Sequence, residues 1–273
     1  MLIKMKIFET ILLITVVFHI SCAKKEPPPT NLAFDALRLA IDRSISNQLF
    51  FGEYEKSIFN SDKINCNVYL IPLNQEIINA SIEYKSYIEA LDSQAKKNLS
   101  DYAHQVYING NQSVFLLIAN VYKYQNEPIE SDDIVHFKNF RANTFLHDEN
   151  RKYNLIKYTH SFDEPLKPGI NKAYLYFNNF RKNKENYSYS MHFNNFIISA
   201  NKNLGKPTSN RWAFSFDESA IDFYALLEKG ISDKEIREGY NIPSSTSNGL
   251  SFSDYLNIAS IIVTAISMGA TLL

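Results

Sequence analysis

Six histidines, two cysteines and many Ser, Asp and Glu residues are the side chains of this 273-residue chain able to move a proton, hold a metal or attack a carbonyl. His19, His104, His136, His147, His160 and His192 form no local metal motif, since the chain contains neither HExxH nor CxxC. Those spacings are what aim two ligands at one ion from a single helix or knuckle. The last four histidines fall on expected strands, where ligands converge only if the register brings them together, and no metal site is assigned. GxSxG and the glycine-rich phosphate loop are also missing, so neither a nucleophile elbow nor a phosphate cradle is written in the chain. We read it as a non-enzyme with no catalytic residue and no cofactor. A secreted enzyme whose site carries no motif is kept as an alternative.

A binding surface is the chemistry that the residues offer more directly. Tyr174 and Tyr176 alternate with Leu175 and Phe177 on an expected strand, so the two rings share one face of it. Arg181, Lys182 and Lys184 follow in the next turn, with Lys202, Lys206 and Arg211 in nearby loops. Exposed aromatic rings and arginine favour interfaces, and this set can take a glycan, a peptide or an anionic envelope surface. The competing reading is cross-strand packing beside solvated loops. Cys66, alternating with Ile64, Val68 and Leu70, is expected to be a small buried hydrophobe rather than a nucleophile.

The first residues, MLIKMKIFETILLITVVFHISC, place Lys4 and Lys6 ahead of an apolar run that stops at Ser21 and Cys22. The run is short for a membrane-spanning helix, which needs about 20 apolar residues, and has the length of a secretory signal core. The arrangement resembles a bacterial lipoprotein signal, with His19-Ile20-Ser21-Cys22 in the place of the lipobox. The resemblance implies a diacylglycerol on the Cys22 thiol, removal of residues 1–21 and an acylated cysteine as the new N-terminus. It implies residence in the bacterial cell envelope, and Ala23 after the cysteine is compatible with the outer membrane. Ordinary cleavage after Ala23 is the rival reading. Residues 22–31 then form the lipidated cysteine and a tether, extended by Pro27, Pro28 and Pro29.

The rest of the chain is expected to supply an α+β fold. Residues 32–106 read as a helix–strand–helix segment. A first helix runs over 32–50, where Phe34, Leu37, Ile41, Ile45 and Leu49 recur at helical spacing. A strand over 64–73 follows, then a helix over 76–99. Asn109-Gly110 is the strongest hairpin signal, because Asn-Gly suits the positive φ angles of a type I′ turn. From 107 to 216 strands follow one another, at 113–124, 134–138, 143–147, 153–162, 172–180, 187–200 and 212–216. Their period-two alternation points to an antiparallel β-sandwich, resembling immunoglobulin-like modules, with N-terminal helices at its flank.

Residues 217–249 read as a helical hairpin. Asp217 is expected to cap a helix that Gly230 ends, and Ser232 with Glu235 forms a capping-box pattern. Its sequence LLEKGISDKEIREGYNIPSSTS is similar to the first two helices of the helix-turn-helix of response-regulator type transcription factors. The third element would hold Pro243 and Gly249 and no cation, Arg237 being the last basic residue. Affinity for nucleic acid comes mainly from Lys and Arg on phosphates, so no nucleic-acid partner is expected.

Residues 250–273 form a hydrophobic C-terminal segment, helical in expectation and uncharged from Tyr255 to Leu273. It reads in three ways: a membrane-inserted helix, a helix buried in the fold or in a partner, or a GPI-attachment signal with Ser247, Asn248 and Gly249 as acceptor residues. With a formal charge of −1, no global field draws the chain to nucleic acid or to a membrane. The expectation is a lipid-anchored envelope protein with a binding or structural role in an envelope assembly. Its partners would be membrane lipid through Cys22, and other envelope proteins or membrane through Tyr255 to Leu273. A GPI-anchored eukaryotic surface protein is the other alternative.

Overall fold

The first helix, α1 (Leu32–Ser46), is buried along most of its circumference. Ala33, Phe34, Ala36, Leu37, Leu39, Ala40 and Ile41 all lie in the core, while Asp35, Arg38 and Arg43 reach partly into solvent. A helix apolar on more than one face needs neighbours on several sides, and it has them. The computed structural model describes residues 31–46, 49–50, 65–122, 134–137, 139–148, 151–159, 162–180, 186–199, 210–243 and 250–270. The chain divides into Met1–Asn31 and a compact unit, Leu32–Leu273. The expected signal, Cys22 and the tether lie outside the described residues, as does the proposed GPI acceptor set.

After β1 (Leu49–Phe50) and β2 (Asn65–Pro72) come two helices where the periodicity predicts one. In α2 (Gln75–Ile88), Asn74 caps the start by accepting from the Ile77 amide at 3.0 Å. Ala90, at φ +49°, then turns the backbone left-handed, and Asp92 caps α3 (Ser93–Ala103) through the Ala95 amide at 2.7 Å. A π-turn, His104–Ile108, extends α3.

The Asn-Gly hairpin is therefore absent. Asn109 has φ −92°, and Gly110 joins the π-turn to β3 (Gln112–Tyr122). A Cβ on Gly110 would sit 2.4 Å from the Val106 carbonyl oxygen, so close approach of the backbone, not a type I′ turn, requires glycine there.

The remaining strands are β4 (Ile134–Phe137), β5 (Thr144–His147), β6 (Lys152–Asn154), β7 (Lys157–Tyr158), β8 (Gly169–Asn178), β9 (Asn186–Ser199) and β10 (Asn210–Ser219). A short α4 (Phe140–Asn143) precedes β5. The single strand expected over 153–162 is split between β6 and β7, which lie in different sheets. The sheets are antiparallel: one has the order β2-β3-β8-β7, and the other β1-β10-β9-β5-β6, with β4 also on β9. β2 pairs with β3 from Asn65↔Tyr122 to Pro72↔Phe115, so the strand system reaches back beyond residue 107.

β3 is buried on both faces. Val114, Leu116 and Ile118 point into a core shared with the helices, while Phe115, Leu117, Ala119 and Val121 point into a second core. That second core joins the two sheets and is rich in phenylalanine: Phe115, Phe137, Phe140, Phe162, Phe177, Phe193 and Phe216. The Phe115 ring meets Phe177 edge-on at 5.8 Å and Tyr189 at 5.8 Å, the tilted geometries that aromatic quadrupoles favour. The architecture is thus α+β, with helices covering the four-stranded sheet as a layer rather than a flank.

The C-terminal elements complete the helical layer. Asp217, expected to cap a helix, lies inside β10 instead; Asp222 caps α5 (Phe223–Glu228), accepting from the Ala225 amide at 3.0 Å. Gly230 follows at φ +83°, and Ser232 and Glu235 make the expected capping box of α6 (Asp233–Gly239). α7 (Phe252–Ala270) packs Tyr255, Ile258, Ala259, Ile262 and Ile266 into the helical core. Tyr107 donates its hydroxyl to the Ala265 carbonyl at 3.0 Å, and Tyr174 donates to that of Ile261 at 3.3 Å. Of the three readings of the tail, the described part of the helix has the packing of the buried one. No helix among the described residues is long and apolar enough to cross a membrane.

Candidate functional site

Tyr174 and Tyr176 share one face of β8, and it is the face that looks toward the helices. Both are half-buried, and α7 takes the Tyr174 hydroxyl. Burial, with Tyr176 beside it, pushes Tyr174 up to about 12, and burial raises Tyr176 as well. The Lys157 ammonium lies 4.3 Å from the centre of the Tyr176 ring. These rings serve packing in the helical core and do not stand out as a platform. Arg181, Lys182 and Lys184 lie outside the described residues. Cys66 sits in β2 opposite Val121.

Of the four histidines expected on strands, two come together. His147 and His192 share the outer face of the six-stranded sheet with ring centres 6.4 Å apart. His192 stacks on Phe145 at 4.9 Å and pairs through Nε2 with the Ser190 hydroxyl at 2.8 Å. The Lys152 ammonium covers the other partner, 3.9 Å from the Phe145 ring centre. Burial, and then the positive charges of His147 and Lys152, hold the His192 imidazole below its ordinary value. His136 instead meets the Asp163 carbonyl through Nε2 at 2.5 Å, and His160 lies outside the described residues. Among the described residues no group of three or more His, Cys, Asp or Glu side chains is placed to hold a metal ion.

The cluster with a cavity beside it was not legible in the sequence. A cleft of about 430 Å³ opens between α2, α3 and the cap of α5, lined among others by Asn79, Glu83, Lys96, Lys97, Ser100 and Asp222. Lys96 pairs with Glu83 at 2.6 Å. Ser100 Oγ lies 3.2 Å from Nδ1 of His104, one helical turn on, and His104 Nε2 lies 2.8 Å from Asn79 Oδ1. An amide oxygen only accepts, so Nε2 carries the hydrogen and Nδ1 is left to accept from Ser100. The result is a hydroxyl–imidazole–amide relay with a fixed tautomer, at the edge of a cleft carrying two ammonium and two carboxylate groups.

Ser100 sits inside α3, where the neighbouring amides are spent on the helix. The relay therefore has no oxyanion-binding pair of backbone amides next to its hydroxyl. The arrangement suits holding a small polar or zwitterionic ligand better than stabilising a tetrahedral intermediate. Asn79 and His104 are 25 residues apart, and only the break at Ala90 folds α3 back against α2. The one sequence signal was the i, i+4 spacing of Ser100 and His104 within the helix.

A second polar cluster is buried between helices. Asp42, wholly buried, accepts from Arg237 at 2.7 Å and from the Tyr255 hydroxyl. Arg237 also pairs with Asp233 at 2.7 Å, and Asp233 with Arg38 at 3.1 Å. Arg43 pairs with Glu76 of α2. These contacts tie α1 to α6, α7 and α2, and each charge in them is matched by a partner.

No known protein family matches the chain, and no curated protein does. Among solved structures, the chain is similar to a protein of unknown function from Burkholderia pseudomallei K96243. The two are 14% identical, with 60% of this chain and 80% of that one covered and a TM-score of 0.29.

Proposed function

We propose that the protein is a lipid-anchored module of the bacterial cell envelope, in the outer membrane, that binds rather than transforms its ligand. The observation that carries the reading is the lipobox-like His19-Ile20-Ser21-Cys22 followed by a proline-rich tether. Membrane lipid is its partner through Cys22, and envelope proteins or the membrane itself are its partners through the exposed side of α7. The cleft beside Lys96, Glu83 and Ser100 supports a binding role, since charges of both signs around an open cavity suit a small zwitterionic ligand. We also read the two sheets as a β-sandwich of immunoglobulin-like kind; the phenylalanine core they share supports a sandwich, whereas the added helical layer is foreign to that fold.

Two measurements test the anchor. The mature protein from its native membrane should give an N-terminal peptide starting at a diacylglyceryl Cys22 and a C-terminal peptide ending at Leu273. Cys22→Ser should move the protein from the membrane fraction to the soluble fraction. An unmodified N-terminus at Lys24 with the tail missing would replace this reading with a GPI-anchored surface protein. The alternative of a secreted enzyme has one observation in its favour, the Ser100–His104–Asn79 relay. It requires that a serine-directed fluorophosphonate label Ser100 and that Ser100→Ala abolish the label.

A further inference from the structure

Most of the large exposed apolar side chains among the described residues gather at one end. Seven large hydrophobic residues stand exposed among the described residues, and five of them are Leu32, Tyr87, Ile88, Phe252 and Leu256, at 38 to 64%. Phe34 of α1 joins two of these elements, its ring 5.5 Å from Tyr84 on α2 and 5.4 Å from Phe252 on α7. Tyr84, Tyr87 and Ile88 share one face of α2 by their i, i+3, i+4 spacing, and Phe252 and Leu256 share one face of α7. The last turn of α2, the start of α1 and the start of α7 thus form one apolar rim. Scattered exposed hydrophobes need no explanation, but a contiguous set does.

The rim includes Leu32, the first residue of the compact unit. Leu32 is ten residues from Cys22, a span of at most about 35 Å when fully extended. On the lipoprotein reading, the anchor therefore keeps the rim close to the bilayer at high effective concentration, so modest affinity suffices to seat it. Its composition fits the site. Aromatic rings with a polar tip favour the membrane–water boundary, and Lys24 and Lys25 beside the anchor suit anionic headgroups.

Resting on the lipoprotein reading, we infer that the folded unit sits with this rim in the interfacial layer of the phospholipid bilayer that holds Cys22. α7 then points its N-terminal end at the membrane and its C-terminal end away, and the segment touches the bilayer without crossing it.

The test uses full-length mature protein purified from native membranes, with the Cys22 modification read first by mass. The protein is placed in phosphatidylethanolamine–phosphatidylglycerol vesicles whose acyl chains are brominated or not. Wild type, with its single Trp212, gives the background. Leu256→Trp adds a reporter on the rim, and Tyr87→Trp repeats it on α2 in case one variant fails to fold. Thr264→Trp places the reporter on α7 eight residues further on, about 12 Å along the axis. Rim insertion to a depth of several ångströms predicts that bromination cuts the added fluorescence of Leu256→Trp about twofold and leaves that of Thr264→Trp unchanged. With Cys22 lipidated, an unquenched Leu256→Trp and Tyr87→Trp would overturn the inference and leave the anchor standing. Equal quenching at 256 and 264 would also overturn it, since the helix would then lie flat. A rim that is unquenched and drives concentration-dependent dimerisation belongs to a second copy of the chain. Cys22 without lipid removes the anchor and the inference together.

Discussion

Asp42 of α1 is the residue at which α6 and α7 meet the first helix. Its carboxylate is wholly buried yet holds both Arg237 and Tyr255. Removing one partner of a buried charge pair strands the other, which costs about 3–5 kcal/mol. Asp42→Ala should therefore lower the urea midpoint strongly, with the slope of the transition unchanged. Lys234 and Glu238, 3.8 Å apart and largely exposed, are the contrast: Glu238→Ala should cost at most about 0.5 kcal/mol. The pair lies on the same helix as Arg237, so the comparison isolates burial.

His192 gives the fold a pH dependence of known sign. Burial, then His147 and Lys152, hold its imidazole below the ordinary value of 6.5. Below that pH the unfolded chain binds a proton that the folded protein still refuses, so stability rises with pH across this window. It should fall as pH drops below about 6.5 and level off once the folded imidazole is also protonated. Denaturation midpoints measured at pH 8 and pH 5 should differ less in His192→Gln than in the wild type. An equal difference in both proteins would place the dependence elsewhere.

At the scale of elements, two backbone positions decide where helices stop. Ala90 holds φ +49° at the end of α2, a conformation that costs a residue with a Cβ about 1 kcal/mol. Ala90→Gly should stabilise the protein by roughly 0.5–1 kcal/mol in chemical denaturation. Gly110→Ala should do the reverse, by about 1–3 kcal/mol, because its Cβ would meet the Val106 carbonyl oxygen rather than a side chain able to yield.

These same positions mark what the sequence revealed and what it hid. Long periodic stretches were legible: β3, β8, β9 and β10 lie where alternation put them, and α1 follows the helical spacing from Leu32 to Ser46, although Leu49 and Phe50, expected to continue it, form β1. Gly230 follows the end of one helix and the Ser232–Glu235 box begins the next, as expected. Breaks set by tertiary contacts were not legible. An alanine forced left-handed looks like any helical alanine, and an Asn-Gly pair reads as a hairpin until the preceding π-turn is seen. Asp217 is as good a cap as Asp222 by type, yet β10 runs through it. The cleft was hidden for a related reason, since its residues meet only after α3 folds back on α2. Tyr174 and Tyr176 share a face as their alternation predicts, but nothing local to β8 says that α7 covers it.

For the whole molecule, the C-terminal helix is structural. It fills the helical core with Tyr255, Ile258, Ala259, Ile262 and Ile266. A chain ending at Gly249 would leave that surface, together with Tyr107 and Tyr174, open to water. At about 25 cal/mol per Å² of apolar area, these buried side chains together rival the roughly 5–15 kcal/mol that holds an ordinary domain folded. Such a truncation should lose its cooperative thermal transition in circular dichroism. A truncated chain that melts like the full one would show that α7 is dispensable.

The bond between Tyr255 and Asp42 spans 213 residues, and it sets an order of events. A chain synthesised from its N-terminus has made α1 early, but Asp42 lacks its Tyr255 partner until 213 further residues have followed it. Contacts of such sequence separation form late and slowly. The compact unit should therefore stay open during synthesis and close only when α7 arrives.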